Sequence, residues 1–303
     1  MALITLYPIN KYSCCFIIIY LLLFSADTMA IVDREYKLEK WTDLEKEILD
    51  TGFSRKFIDS LYNTYSMDSQ RNLRTFEFEH ISKNEKFVYE AGWGPLNAGF
   101  GIMDLNKDTE SGNIQITFKG VTNRFVSAFY KLRDYFSATI DLNGLYPFFY
   151  EEHLREGKYR DKRWVLYDHI YKRVYTNKKG YEKVDIPRFT NDILSLIYVI
   201  RSQKLEPGRI FHLNCFLHKK VYPIKFKCTR IKKVKVKAGE FMCIGVEPGM
   251  VGNGRNFSWK DKLQIWFSDD QYHIPVKIKA KVKIGSLIGE LIYYKKDLYT
   301  VKK

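Results

Sequence analysis

Catalysis or metal binding needs particular side chains at spacings that one element can bring together, and this chain offers few such groups. Asp269, Asp270 and His273 form the most compact set. Two carboxylates beside an imidazole could approach a cation or share acid–base work. The same residues lie between two stretches of strand character, where Asp side chains more simply cap a hairpin turn. Glu151 and Glu152 have no identifiable opposing carboxylate in the sequence, so glycoside hydrolysis, which uses a pair, is conceivable only. Cys215 stands three residues from His212, a spacing that puts the two on opposite faces of a strand. Ser195 sits in an apolar helical stretch and outside any G-x-S-x-G turn. His80, His153, His169, His212, His218 and His273 make no His-x-x-x-His pattern, and His212 with His218 is weak evidence for a metal. GWGPLNAG and GMVGNGRN are glycine turns without a Walker lysine. The expectation is no catalytic residue, no metal and no cofactor, with Asp269, Asp270 and His273 as a polar site.

The elements that would position these groups are mostly strands. Residues 34–65 differ from the rest: Leu38, Trp41, Leu44 and Ile48 share a helical face, Gly52 ends that helix, and Ser54 can cap a second one carrying Phe57, Ile58 and Leu61. From about residue 74 onward, short runs rich in β-branched and aromatic residues alternate with Gly, Pro, Asn and Asp. A helix is expected over residues 123–132, with Phe125, Ala128, Phe129 and Leu132 on one side. A clearer one begins near Thr190, which can cap it, and Asp192, and presents Ile193, Leu194, Leu196, Ile197 and Ile200 before the turn at Pro207 and Gly208. The segment KGYEKVDIP reads as a loop or edge strand, and everything after residue 208 as hairpin upon hairpin. The fold class is mainly β: a curved antiparallel sheet or incomplete barrel with two covering helices and a small N-terminal helical segment.

Charge follows the strands. Lys277, Lys279, Lys281 and Lys283 alternate with Val276, Ile278, Ala280, Val282 and Ile284, so one face is apolar and the other a row of ammonium groups. Lys225 and Lys227, then Lys233, Lys235 and Lys237, repeat the pattern earlier. Two readings stand: a solvated face on which lysine discourages edge pairing, or a docking surface for an anionic membrane, a glycan or an acidic protein.

The amino-terminal residues read as an export signal. Lys11 precedes an apolar run at residues 16–24 (FIIIYLLLF), and Thr28 and Ala30 supply a small-x-small site, so cleavage is expected near Ala30. The 15 uncharged residues between Lys11 and Asp27 are short for a membrane span; an uncleaved anchor is the alternative. Residues 1–30 then form the signal, 31–73 a helical segment and 74–303 the β-rich domain. Lys11 and Asp27 cancel, which leaves the formal charge at +15. That excess favours anionic partners, and export argues against nucleic acid. Three cysteines would remain, Cys215, Cys228 and Cys243, an odd number that excludes a disulfide-rich scaffold. Cys228 and Cys243 fit buried small apolar positions better than a bridge.

Several stretches together resemble a bacterial family of exported proteins common in the Bacteroidetes, domain-of-unknown-function family 3108. They are VYEAGWGPLNAG at 88–99, VTNRFVSAFYKLRDYFSATID at 121–141, FTNDILSLIYVIRS at 189–202, KAGEFMCI at 237–244 and WFSDDQYHIPVKI at 266–278. Their order covers roughly residues 75–295. The resemblance implies a largely β domain, similar in shape to periplasmic lipoprotein-carrier half-barrels, and brings no catalytic residues. The expected function is a cell-envelope binding protein for a lipid, glycan or envelope protein, in contact with the membrane periphery. An envelope-polymer hydrolase and a structural or assembly subunit are the alternatives.

Overall fold

The computed structural model describes residues 53–64, 72–76, 81, 84–93, 96–177, 182–250, 263–281 and 286–296. The expected signal segment, the helix expected around Leu38 to Ile48, and Lys283 lie outside the described residues.

Fourteen strands form one antiparallel sheet. The first half comprises β1 (Asn84–Trp93), β2 (Leu96–Asp108), β3 (Asn113–Thr122), β4 (Arg133–Asp141), β5 (Pro147–Glu156), β6 (Tyr159–Asp168), β7 (Arg173–Thr176) and β8 (Glu182–Asp185). The second comprises β9 (Ile210–Leu217), β10 (Lys220–Val236), β11 (Gly239–Met250), β12 (Leu263–Ser268), β13 (Pro275–Lys281) and β14 (Ser286–Lys296). Each half is a meander, and the halves join where β14 pairs with β1, Ala91 opposite Gly289. The sheet edges are therefore β8 and β9, neighbours in sequence. The expected edge segment at KGYEKVDIP is β8.

Helix α3 (Ile193–Arg201) lies between those edges in sequence and packs against β3, β4 and β9. Its buried Leu196 and Ile200 join Ile224, Phe226, Ile244, Val246 and Phe267 of the second half. Leu194, Tyr198 and Val199 join Phe87, Met103, Ile116, Phe136 and Tyr150 of the first. One short helix thus knits both halves into a core. Asp192, not Thr190, caps it: the carboxylate accepts from the Leu194 and Ser195 N–H groups at 2.6 and 3.0 Å, and the Ser195 hydroxyl accepts from the Asp192 N–H at 3.0 Å. The Thr190 hydroxyl is engaged by the Pro187 carbonyl at 2.7 Å instead.

Helix α1 (Arg55–Thr64) starts where Ser54 predicted, with the Phe57 N–H donating to the Ser54 hydroxyl at 3.3 Å. Its Phe57, Ile58 and Leu61 cover Phe149, Trp164 and Leu166 on β5 and β6. The helix expected over 123–132 is only one turn, α2 (Arg124–Ser127), capped by Asn123. After it, the Gly157 N–H donates to the Lys131 carbonyl at 2.8 Å and Leu132 bridges to Glu156, so tertiary hydrogen bonds win over a second turn. Leu132 is buried while Phe125 and Phe129 are exposed, so the residues expected on one side of that helix part company. Cys215, Cys228 and Cys243 are all buried, and among the described residues none of them forms a disulfide. Among the described residues no helix is long and apolar enough to cross a membrane.

Candidate functional site

The most distinctive concavity is an apolar cleft between α3 and the middle of the sheet. Ile193, Leu194 and Ile197 form its helical wall, Tyr89, Ala91, Met103 and Phe118 one sheet wall, and Ile265, Phe267, Ile278 and Ile288 the other. No charged residue lines it. Its shape follows from local sequence. Gly101 pairs with Gly120 across β2 and β3, and a Cβ on Gly101 would stand 2.9 Å from the Phe118 ring. Glycine there lets the ring lie across β2 and form a wall. The Tyr89 hydroxyl, the cleft's main polar atom, donates to the Pro275 carbonyl at 2.8 Å, so it is satisfied and leaves the surface greasy. The cleft volume is about 70 Å³.

Two buried polar clusters hold α3 over this cleft. At the carboxyl end, Arg201 makes a bidentate pair with Glu85 of β1, at 2.7 and 3.0 Å, with both side chains 1 % exposed. Burial works against the Arg201 charge, but Glu85 outweighs it and the net effect raises the Arg201 pKa. The Arg201 Nε also donates to the Tyr272 carbonyl at 3.2 Å, and the Arg201 carbonyl lies 2.8 Å from His273 Nδ1. At the amino end, Asp192 is fully buried and its pKa is pushed up to about 6, chiefly by desolvation. The helix is fixed at both termini, so the cleft is preformed.

A third buried group occupies β4 to β6. Arg163 binds Glu152 and Asp161, and its Nη1 lies 2.9 Å from His218 Nδ1 in the β9–β10 turn. This contact spans the sequence break between the two sheet edges, as does the Tyr167–Phe216 ring pair at 6.3 Å. Asp134 and Glu156 sit side by side. Burial and then the Glu156 charge push Asp134 well above the usual carboxylate range, and burial lifts Glu156 to about 6. The two carboxyls disfavour being charged together, so burial and their mutual repulsion favour a protonated Asp134.

The residues singled out in the sequence fall in several places. Asp270 builds the β12–β13 turn, accepting from the Tyr272 and His273 N–H groups at 2.9 and 3.2 Å and from the Ser268 hydroxyl at 2.8 Å. Asp269 is exposed beside it, and His273 serves α3. Glu151 accepts from the Phe53 N–H at 2.8 Å and lies 3.3 Å from His153, under α1, whereas Glu152 faces Arg163 and the Tyr150 hydroxyl. The lysine rows stand on β10 and β13, which β11 and β12 separate. Lys225, Lys227, Lys279 and Lys281 are exposed, while Lys233 and Lys235 share Glu240 at 3.0 and 3.5 Å and Lys277 meets Glu290 at 2.5 Å. Lys237 pairs with Glu90 at 2.5 Å, so carboxylates interrupt the rows. Among the described residues no three His, Cys, Asp or Glu side chains converge as metal ligands.

Glu85, Arg201, Asp134 and Glu156 were missed in the sequence, although two of them left a signal. Glu85 is in phase with inward Phe87 and Tyr89, and Arg201 follows Leu194 and Tyr198 at seven and three residues on the buried helical face. A charge in phase with a core face calls for a buried partner.

The fold has solved relatives at low identity. A β-barrel-like protein of domain of unknown function 1849 from Brucella abortus superposes with a TM-score of 0.51 at 9 % identity, covering 72 % of this chain and 99 % of its own. A Bacteroides fragilis protein described as exported, with a YmcC-like fold, gives 0.32 at 9 % identity over 74 % of this chain and 100 % of its own. A protein of Parabacteroides distasonis described as a lipoprotein gives 0.31 at 10 % identity over 73 % and 99 %. No curated protein matches the chain. The model of a protein family of unknown function matches residues 88–292, from the middle of β1 to β14, and on that match the chain belongs to the DUF3108 family.

Proposed function

We propose that this is an exported cell-envelope binding protein that takes the end of a single apolar chain, such as the acyl tail of an envelope lipid, into the cleft under α3. The observation that carries the reading is the cleft's lining, without a charged residue and with its one hydroxyl already satisfied. Such a wall discriminates by shape and apolar area alone. Magnitude limits the ligand. A cavity of about 150 Å³ holds one benzene ring, and this one is about 70 Å³. Chain ends fit, and whole lipids do not. Export is supported by the apolar run and small-x-small pattern before Ala30. The buried carboxylates on β4 to β6 are tied to Arg163, Tyr150 and each other away from the cleft lining, which weighs against a hydrolase at this site.

The test is titration of the mature protein with cis-parinaric acid, read by its fluorescence, beside an Ala91→Phe variant that fills the cleft. Saturable binding by the wild type, weakened at least about tenfold in a variant whose Tm is retained, supports the reading; that loss corresponds to about 1.4 kcal/mol. Equal binding by both proteins, or none by either, refutes it.

A further inference from the structure

In a meander, alternate connections come out at the same end of the sheet. The β1–β2 turn, the α2 link between β3 and β4, and the β5–β6 turn therefore stand side by side at one end. Each carries a large apolar side chain in water. Leu96 is 42 % exposed, Phe125 48 %, Phe129 82 % and Tyr159 46 %. Nine large apolar side chains are exposed among the described residues, and these four gather on three adjacent loops. Phe125 and Phe129 form an edge-on pair at 5.7 Å on the projecting α2 link.

Beside this apolar tip is a pocket of about 220 Å³ whose lining is wholly cationic: Lys131, Arg133, Arg155 and Arg160. The charges are positioned by main-chain oxygens. Arg133 Nη1 donates to the Leu132 and Thr122 carbonyls at 2.7 and 3.0 Å and lies 3.4 Å from the Ser127 hydroxyl at the end of α2. Arg160 Nη1 donates to the Tyr159 and Gly157 carbonyls at 2.7 and 2.8 Å. Carboxylates lie close by but outside the lining: burial disfavours the charged forms of Asp134 and Glu156, and Asp161 pairs with Arg163.

We propose that this end of the sheet docks on an anionic bilayer, with Phe125 and Phe129 entering the interface and the cationic pocket receiving a lipid headgroup phosphate. Aromatic side chains suit the headgroup level, and juxtaposed basic residues are drawn to anionic lipid. Main-chain carbonyls on Nη1 fix the Arg133 and Arg160 side chains in place, so that the pocket presents clustered positive charge to phosphate oxygens. The formal charge of +15 adds long-range attraction of the same sign. This surface is independent of the cleft, so Ala91→Phe should dock as the wild type does.

The experiment is co-sedimentation of the mature protein with vesicles of phosphatidylcholine alone or mixed with phosphatidylglycerol. The expected result is binding to the mixed vesicles only, falling with salt, and weakened about tenfold or more by R155E/R160E and severalfold by Phe129→Ser. Phe129 is so exposed that its replacement leaves the fold intact, which keeps the test open if the double variant folds poorly. K225E/K227E, on the lysine rows, should bind nearly as the wild type. Three outcomes overturn the proposal: no binding to anionic vesicles, binding lost only in K225E/K227E, or inorganic phosphate at millimolar concentration displacing the vesicles completely, which would make the pocket a free-anion site.

Discussion

Acid should destabilise this fold through His169, by an amount that its environment sets. The ring is fully buried in the β6–β7 turn. Its Nε2 lies 2.8 Å from the Pro147 carbonyl and its Nδ1 accepts from the Phe189 N–H at 3.2 Å, so the neutral tautomer protonated on Nε2 satisfies both neighbours. A second proton on Nδ1 would face an N–H donor. Burial, with help from the Arg74 and Arg188 charges and against the Pro147 hydrogen bond, lowers the pKa from 6.5 to about 4. The unfolded chain therefore binds the proton first. Stability present above the unfolded pKa is lost as pH falls through 6.5 towards 4, and at about pH 4.5 the loss reaches roughly 2.5 kcal/mol. Asp134, Glu156 and Asp192 work the other way, because their raised pKa values mean that protonation relieves the folded state. The wild-type curve alone is therefore a composite, and the difference from His169→Gln isolates the ring. Glutamine keeps one donor and one acceptor but does not titrate. Urea unfolding at about pH 7.5 should find the variant less stable, and at about pH 4.5 the gap should narrow by roughly 2.5 kcal/mol. A gap constant across that range would mean that His169 keeps its ordinary pKa in the fold, and the reasoning would fail.

Two further predictions concern the ends of α3. Glu85→Gln leaves the Arg201 guanidinium buried without its counter-charge and should cost about 3–5 kcal/mol in urea unfolding; the double change Glu85→Leu with Arg201→Met should recover most of that, and a double variant as unstable as the single would refute the account. Asp192→Asn keeps an oxygen for the Leu194 and Ser195 N–H groups and removes a carboxyl whose pKa rises from 3.8 to about 6. The cost of that carboxyl accrues as pH climbs from the lower to the higher value, so the stability of the variant relative to wild type should improve by roughly 2–3 kcal/mol between about pH 4 and pH 7.5. A pH-independent difference would refute it.

The strands were legible because their period is short and local. Lys225 and Lys227 alternate with Ile224, Phe226 and Cys228, and the burial of the latter three follows from that spacing alone. Helix α3 was legible for the same reason, down to the wet Pro207–Gly208 turn beyond it. The α2 segment was not, because its helical spacing is real but its hydrogen bonds go elsewhere: Asn123 donates to the Ala98 carbonyl, and Gly157 reaches back to Lys131. Nothing within residues 123–132 encodes those partners. The same limit hid Asp134 with Glu156 and the cationic pocket, whose members meet only through the β4–β5 and β5–β6 pairings. The spacing of the lysines was legible along each strand, but the glutamates that interrupt the rows, Glu90, Glu240 and Glu290, come from other strands.

The placement of α3 connects the topology to the cleft. A closed barrel's bore widens with strand number, and barrels of 16 to 18 strands already enclose an aqueous channel. A 14-stranded sheet closed on itself would approach that width. Here the meander breaks between β8 and β9, and the link across the break is α3, which enters the concavity and supplies apolar contacts to both halves. Asn191, just before α3, covers the β9 edge, donating its N–H to the Asn214 carbonyl and accepting from the Phe216 N–H, both at 2.8 Å. The helix therefore replaces water as the filler of the bore and leaves a gap where Gly101 and Ala91 face Ile193 and Ile197. Those small residues opposite a helix fixed at both ends account for a cleft that is narrow and apolar.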